Sequence, residues 1–198
     1  LREVWDFHLG VVNDPSRLRQ LLDRVGWDKV EIRGQQLRLT REGMALDLGG
    51  IVKEYAVDKS IATIREAGFF NAIVELAGDV MAIGDRGSDE PWQVGICDPT
   101  HPDQALMSVE LSNVALATSG SYHRFITLDG QRFSHFLNPF SGMPIRDPRS
   151  VSVIANNCIS AGAIATTACL HALEESEAWL NTAGLPWLMH DSGNLRGP

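Results

Sequence analysis

Short runs of alternating apolar and polar residues, separated by glycine turns, fill the middle of the sequence. NAIVELAGDVMAIG (71–84) contains two strand-like runs around AGD (77–79). Asp129-Gly130, between two further alternating runs, is a strong signal for a tight β-hairpin. RSVSVIA (149–155) predicts one more strand. Because strands joined by tight turns pair antiparallel, the sequence predicts a mainly antiparallel sheet structure.

Helical patterns flank these strands. They are predicted over 14–26, over 51–68, from a cap at Asn156 or Asn157 to about Leu173, and over 174–182. Another hairpin is predicted over 30–40, with Gly34 at its turn. Since helices and strands do not alternate regularly, the sequence argues against a Rossmann sheet. We predict an α+β fold, with mainly antiparallel sheets flanked by helices, in a single domain over residues 1–198.

Composition excludes several classes of function. The formal net charge is -8, and no basic stripe is present, which argues against a nucleic-acid-binding surface. No apolar run approaches the roughly 20 residues that a membrane-spanning helix needs. The three cysteines are far apart and lack the spacing of a zinc site, so they are expected to be buried thiols.

LDLGGIVKEYAVD (46–58) places an acid and two glycines directly before a predicted helix. Glycines let the backbone approach a ligand, and the free amides at a helix N-terminus favour phosphate. Asp47 could accept hydrogen bonds from a ribose or a base edge, and Lys53 could meet a phosphate. A tight strand-to-helix turn with a solvated lysine explains the same residues, so the pattern alone leaves both interpretations open.

Two further stretches carry polar groups. ATSG (117–120) predicts a small-residue loop after a strand, which could offer hydroxyls and amides to a ligand. HFLNPFSG (135–142) places His135 at a strand end, beside a turn. A histidine in that position could act as a general base on a hydroxyl, although a capping or core role fits the pattern equally. No GxSxG motif marks a serine as a hydrolase nucleophile.

AGAIATT (161–167) lies in the helix predicted after the Asn156-Asn157 cap. Gly162 and Thr166 are four residues apart and therefore share one face of that helix. The Thr166 hydroxyl could bind a hard cation, or it could bond back to the carbonyl one turn earlier. The local sequence does not decide between these roles.

Five of these segments, in this order, resemble the signatures of the ApbE family, the FAD:protein FMN transferases. They are DLGGIVKE (47–54), AGD (77–79), ATSG (117–120), HFLNPFSG (135–142) and AGAIATT (161–167), which match the family patterns DLG[AG]IAKG, GGD, ATSG, HxxDPxTG and ADALATA. Each motif is short, but the resemblance extends over nearly the whole chain, from the 14–40 region to the last predicted strand. The family's N-terminal part, which helps to enclose the flavin ring, is expected to be absent, so that residues 1–198 form the C-terminal two-thirds of the family domain.

The resemblance implies a fold that holds FAD in a cleft. Members of the family move the FMN half of FAD onto a threonine hydroxyl of a partner protein and release AMP, with Mg²⁺ on the pyrophosphate. It also implies roles for six residues: Asp47, Lys53 and a backbone group of Phe136 as FAD contacts, the Gly50 carbonyl and the Thr166 hydroxyl as Mg²⁺ ligands, and His135 as the base for the incoming threonine.

Several positions depart from the family patterns. The acid of ADALATA falls on Gly162, which has no side chain to bind a metal. Further departures include Glu54, Ala77, Asn138 and Ser141. Mg²⁺ prefers one or two carboxylate ligands, so we expect a sharply lower metal affinity unless another acid, such as Asp79 or Glu54, compensates.

Two hypotheses follow from the resemblance. The chain is an active Mg²⁺-dependent FMN transferase with an altered metal site, or it is a degenerate member that binds FAD without efficient transfer because of Gly162. A structural or partner-binding domain without flavin is a third class. The implied partners are FAD and an acceptor protein with a target threonine. The implied location is periplasmic or otherwise extracytoplasmic, with a possible lipid anchor to the inner membrane outside this chain.

Overall fold

The computed structural model describes residues 1–101, 103–122, 124–146 and 149–198. By their internal contacts these residues form two compact units. The first combines Leu1–Asp47 with His123–Asp147, and the second combines Leu48–Tyr122 with Pro148–Pro198.

The described residues are rich in short strands. In chain order the strands are β1 (Trp5–Asp6), β2 (Val11–Val12), β3 (Val30–Arg33), β4 (Gln36–Leu39), β5 (Ala72–Leu76), β6 (Asp79–Ile83), β7 (Trp92–Cys97), β8 (Ala105–Leu111), β9 (Val114–Gly120), β10 (Phe125–Leu128), β11 (Gln131–Ser134), β12 (Arg149–Ala155), β13 (Trp187–Asp191) and β14 (Asn194–Arg196). The α-helices are α1 (Leu18–Leu22), α2 (Val52–Glu66), α3 (Cys158–Leu170) and α4 (Leu173–Ala183). The pairings between these strands are antiparallel, which confirms the predicted α+β class.

The first unit contains the hairpins β1–β2, β3–β4 and β10–β11. The hairpin predicted at Gly34 is confirmed, and so is the one at Asp129-Gly130, where both turn residues have positive φ (48° and 74°). Val4, Trp5 and Leu21 form the buried core of this unit. The strands β1 and β2 were not predicted, because two-residue strands leave no periodic signal.

The helix predicted over 14–26 is shorter than expected. Asp14 does cap it, since its side chain accepts a hydrogen bond from the backbone of Ser16 at 3.0 Å. The segment begins as a 3-10 helix, Pro15–Arg17, becomes α-helical only in α1, and is followed by a second 3-10 helix, Trp27–Lys29. Few of its residues are buried, and a short helix without a packed face is marginal, which explains the early end.

A six-stranded antiparallel sheet forms the centre of the second unit, in the order β14-β13-β12-β9-β6-β5. The helix α2 packs on β5 and β6, α3 packs on β9 and β12, and α4 packs on α3. All of β6 is buried. Val80 and Ala82 pack with Ile96 and Leu111 of the β7–β8 hairpin. Because side chains alternate along a strand, Asp79 points to the other face of the sheet.

Charged and polar side chains close both ends of α3. At its N-terminus Asp58 of α2 accepts hydrogen bonds from the backbone N–H groups of Cys158 (2.7 Å) and Ile159 (3.1 Å). Asn157 is the N-cap, which resolves the alternative between Asn156 and Asn157. Arg149, fully buried, donates to carbonyl oxygens at the C-terminal end at 3.4 and 3.0 Å. These contacts satisfy groups that a helix cannot satisfy internally, and so fix α3 against its neighbours.

The prediction of a loop at ATSG (117–120) is wrong. These residues are the end of β9 and pair with β12, with Thr118 opposite Ser152. The two hydroxyls lie 2.8 Å apart. A small polar sequence is compatible with a central strand because the ladder and cross-strand contacts satisfy its backbone and hydroxyls. Among the described helices, none has the length and apolar character needed to cross a lipid bilayer.

Candidate functional site

Lys53 lies in the first turn of α2, as predicted, and reaches a buried carboxylate of the sheet. Its Nζ is 2.6 Å from Oδ2 of Asp79, which is only 1% exposed. The other oxygen of Asp79 accepts a hydrogen bond from the backbone N–H of Thr118 at 3.3 Å. Lys53 is therefore not the solvated lysine of the simpler interpretation. The side chain is 40% exposed, so its ammonium retains donors for an anion.

The next residue of α2, Glu54, points toward α3 at Gly162. A β-carbon built on Gly162 would lie 2.6 Å from Oε1 of Glu54 and 2.7 Å from its Cγ. Glu54 is 5% exposed, and its Oε2 has no hydrogen-bond partner among the described residues. The carboxyl group of α2 thus occupies the space beside α3 where a side chain at residue 162 would begin.

The environment of Glu54 disfavours its charge. Burial raises the pKa of its carboxyl group above the ordinary value, and the nearby carboxylates of Asp79 and Asp58 raise it further. A hydrogen bond with its own backbone and the charge of Lys53 act in the opposite direction. A buried acid of this kind takes either a proton or a cation, because an isolated buried charge is costly.

Thr166 follows Gly162 by one turn on the same face of α3, as predicted. Its Oγ1 is 2.7 Å from Oγ of Ser119 on β9. The Thr166 hydroxyl therefore contacts a side chain of the sheet, an arrangement that the local sequence did not indicate. The signal that could have indicated it is the small-residue character of both segments, which allows α3 and β9 to approach closely.

The second unit contains oxygen donors of the chemical type that hard cations bind. Within residues 1–101, 103–122, 124–146 and 149–198, no three His, Cys, Asp or Glu side chains group as metal ligands. Mg²⁺ does not need such a group, since it binds one or two carboxylates together with hydroxyl, carbonyl and water oxygens. Donors of this type are Oε2 of Glu54, which is buried and has no hydrogen-bond partner among the described residues, the hydroxyls of Thr166 and Ser119, and the carbonyl of Gly50 before α2.

His135 lies in the first unit, directly after β11, where the sequence predicted it. Its backbone N–H donates to the carbonyl of Arg124 at 3.0 Å, and its Nδ1 is 3.2 Å from the same oxygen. Because a carbonyl only accepts, Nδ1 carries the proton and Nε2 keeps a lone pair in the neutral ring. Burial lowers the pKa of His135, and the charges of Arg124 and Arg2 lower it further. The ring is therefore neutral at pH 7.

A cavity of about 330 Å³ adjoins this histidine. Residues of the first unit line it: Arg2, Trp5, Asp6, Phe7, His8, Arg124, His135 and Leu137. The lining combines aromatic rings with the charged side chains of Arg2, Arg124 and Asp6, a mixture of apolar and polar groups that is common in ligand pockets.

Asp47 and Phe136 also belong to the first unit. Asp47 is exposed, and its Oδ2 forms an ion pair of 2.5 Å with Arg2. The N–H of Phe136 donates to Ser134 Oγ at 3.2 Å, and its carbonyl accepts from Ile145 at 2.8 Å. The carbonyl has a second lone pair, so Phe136 keeps one acceptor for a ligand.

The residues that the sequence predicted divide between the units. Asp47, His135 and Phe136 belong to the first unit, and Gly50, Lys53, Gly162 and Thr166 belong to the second. Sequence reasoning missed the role of Asp58, which caps α3. Its position four residues after Glu54 on α2 was the available signal, because residues so spaced share a helix face.

Two departures from the family patterns have a structural account. Asn138 accepts hydrogen bonds from the backbone of Phe140 (2.9 Å) and Ser141 (3.0 Å), so the amide holds the turn that an aspartate would hold. Ala77 has φ 51° in the turn between β5 and β6, where the family pattern has glycine. An alanine in this left-handed conformation carries strain that glycine would not.

Comparison with known proteins identifies relatives that match most of the chain and agree on one family. The ApbE family model matches residues 1–189. The chain is 32% identical over 197 residues to the FAD:protein FMN transferase of Treponema pallidum (strain Nichols), covering 90% of this chain and 54% of that protein. It is 32% identical over 178 residues to the FAD:protein FMN transferase of Rhodobacter capsulatus, covering 87% of this chain and 34% of that protein. The chain thus spans about half or less of these relatives' length.

Solved structures agree on the fold. The crystal structure of the ApbE protein from Thermotoga maritima superposes with a TM-score of 0.87 at 28% identity, covering 99% of this chain and 66% of that one. The flavin transferase ApbE from Vibrio cholerae gives a TM-score of 0.81 at 26% identity, covering 95% of this chain and 61% of that one.

Fold and site together define an α+β protein in which buried carboxylates lie at the start of α2, after two glycines, and a pair of half-buried hydroxyls joins α3 to β9. The chain belongs to the ApbE family.

Proposed function

We propose that this chain is the flavin-transferring part of an FAD:protein FMN transferase, which moves FMN from FAD to a threonine hydroxyl of an acceptor flavoprotein and releases AMP. The similarity to proteins of that name along most of the chain carries the proposal. Asp47, Lys53, His135 and Thr166 stand at the matching motif positions.

In the proposed reaction His135 is the base. The neutral ring, with Nδ1 engaged by the Arg124 carbonyl, leaves Nε2 to accept the proton of the incoming threonine hydroxyl. The threonine oxygen then forms a bond to the phosphorus of the FMN half, and the phosphoanhydride bond breaks. AMP leaves with the electron pair of that bond, so the charge and atoms balance.

Asp47 and the Phe136 carbonyl are proposed to position FAD, and Lys53 to meet its pyrophosphate. The ion pair of Lys53 with Asp79 fixes the ammonium at the start of α2, where helix amides also favour phosphate. Gly50 and Thr166 are the proposed oxygen ligands of Mg²⁺. The ion, when bound, neutralises the charge that develops as the phosphoanhydride breaks.

A second candidate is a degenerate family member that binds FAD without efficient transfer. The observation that favours it is Gly162, which removes the carboxylate that the resemblance assigns to α3. In this alternative the Glu54 carboxyl group fills the space beside Gly162 and closes the metal position.

We also propose an extracytoplasmic site of action, with a lipid or membrane anchor outside this chain. This proposal rests on family resemblance alone. Fractionation of cells that express the full-length protein, followed by immunoblotting of the periplasmic, membrane and cytoplasmic fractions, tests it. Recovery in the cytoplasmic fraction alone would contradict it.

The test of the transfer reaction is incubation with FAD, Mg²⁺ and a flavoprotein fragment that contains a known flavinylation threonine. Flavin fluorescence of the acceptor band on a denaturing gel reports covalent transfer. We expect labelling that EDTA abolishes and that His135→Ala reduces by about 10²–10⁴-fold. His101→Ala, which removes an exposed histidine, is the matched control and should label normally. FAD binding without labelling would favour the degenerate alternative.

A further inference from the structure

The charges of Asp58 and Asp79 act on Glu54, and of these three carboxyl groups only that of Glu54 has an oxygen without a hydrogen-bond partner among the described residues. Asp79 is paired with Lys53 Nζ at 2.6 Å and with the Thr118 amide. Asp58 accepts from two amides of α3. Glu54 is 5% exposed, and its Oε2 has no hydrogen-bond partner among the described residues. Buried carboxylate oxygens are normally satisfied, so this one requires an explanation.

The position of the carboxyl group gives the explanation. Its Oε1 would be 2.6 Å from a β-carbon at residue 162, so the carboxyl group of α2 lies where the first atoms of a side chain on α3 would lie. Thr166 is one turn farther along α3, and β-carbons so related are about 5–6 Å apart. Two oxygens that bind one Mg²⁺ lie at most about 4 Å apart, because each is about 2 Å from the ion. Side chains whose ends start about 5–6 Å apart reach that separation when the carboxyl group and the hydroxyl turn toward each other.

We propose that Glu54 is the metal-ligating carboxylate of this chain, supplied by α2 in place of the carboxylate that α3 lacks at Gly162. Residue 162 of α3 has no side chain, and the Glu54 side chain of α2 fills the space that such a side chain would occupy. The proposal rests on the proposed function, because it assigns a residue to the Mg²⁺ of that reaction. Unlike the degenerate alternative, it predicts that the metal site is intact despite Gly162.

Direct metal binding tests the proposal without reference to activity. Mn²⁺ is titrated into the protein in the presence of FAD, and free Mn²⁺ is measured by its EPR signal against a control with FAD alone. We expect saturable binding by the unmodified chain. Glu54→Gln should raise the dissociation constant at least about tenfold, since even loss of a group behind a metal ligand costs 10–100-fold. Glu66→Gln removes a charge from the exposed end of the same helix and should leave binding unchanged.

A double variant distinguishes the loss of a metal ligand from the loss of folding. Glu54→Gly combined with Gly162→Asp returns the carboxylate to α3 and removes the group that would collide with it. We expect this double variant to bind Mn²⁺ with an affinity within about tenfold of the unmodified chain, whereas Glu54→Gly alone should not bind. Equal Mn²⁺ affinity of the unmodified chain and Glu54→Gln would overturn the proposal, and so would a lack of binding by the unmodified chain.

The outcomes separate this proposal from the proposed function. Covalent labelling of the acceptor together with Mn²⁺ affinity that is insensitive to Glu54 refutes the assignment of Glu54 and leaves the transferase function in place. Mn²⁺ binding that depends on Glu54, without any labelling, supports Glu54 as a ligand and refutes the transferase function.

Discussion

Oε1 of Glu54 lies 2.6 Å from the point where a β-carbon at Gly162 would stand, so each residue has the size that the other requires. A larger residue at 162 and the glutamate at 54 cannot both occupy this space unless the Glu54 side chain or one of the helices shifts. The two positions are 108 residues apart in the sequence, and only the packing of the helices couples them. Their relationship gives the first prediction.

Gly162→Ala should lower the free energy of unfolding by about 1–3 kcal/mol, the usual cost of overpacking. In a Glu54→Gly background the same change should raise it by up to about 1 kcal/mol, because alanine favours helix over glycine. Urea unfolding followed by circular dichroism measures both values. An equal effect of Gly162→Ala in the two backgrounds would show that the residues are not coupled.

The cap that Asp58 provides to α3 should contribute measurably to stability. Asp58→Ala removes the acceptor for the amides of Cys158 and Ile159 and should lower the free energy of unfolding by about 1–2 kcal/mol. Asp58→Asn keeps one acceptor oxygen and should retain part of this contribution. If thermal melting shows the alanine and unmodified proteins to be equally stable, α3 does not depend on this cap.

Lys53→Met should destabilise the second unit because it leaves the buried Asp79 carboxylate without its cation. We expect a loss of about 1–2 kcal/mol, a modest value because the lysine is partly exposed to solvent. Lys59→Met, on the exposed side of the same helix, is the control and should change stability by less than about 0.5 kcal/mol. Urea denaturation of the two variants in parallel is the measurement, and similar losses in both would refute a specific role for the ion pair.

The pH dependence of FMN transfer should report the lowered pKa of His135. The base must be neutral, so the rate should be constant at neutral pH and fall only as the pH drops below the ordinary histidine value of 6.5. The lowered pKa of His135 also affects the free energy of unfolding. The stability that His135 contributes is fully present above pH 6.5 and is lost as the pH falls through the lower pKa of the folded state. The rate of acceptor labelling between pH 5 and 8 is the measurement. A rate that already declines on going from pH 8 to pH 7 would contradict this assignment.

The cysteines should differ in reactivity. Burial raises the pKa of Cys158 and of Cys169 to about 12, so neither forms the reactive thiolate near neutral pH. Cys97 is exposed. Titration with a disulfide reagent at pH 8 should therefore modify one thiol per native chain and three after denaturation. Rapid modification of more than one thiol in the native protein would show that α3 opens readily.

Much of the fold could be predicted because its signals are local. Alternation identified β5, β6 and β12, and turn chemistry at Gly34 and Asp129-Gly130 identified two hairpins. The ATSG strand was missed, because its small polar residues look like a loop until β12 pairs with them. The early end of α1 was missed because its apolar pattern does not show how few of its residues become buried.

The sequence by itself determined the α+β class, the family motifs and the absence of a carboxylate at Gly162. Those properties depend on residue type, periodicity and spacing along the chain. Only the tertiary structure decided that Glu54 lies against Gly162, that Asp79 pairs with Lys53, and that Thr166 meets Ser119. Such contacts join residues 26 to 108 positions apart, and packing and burial, which act through space, create them.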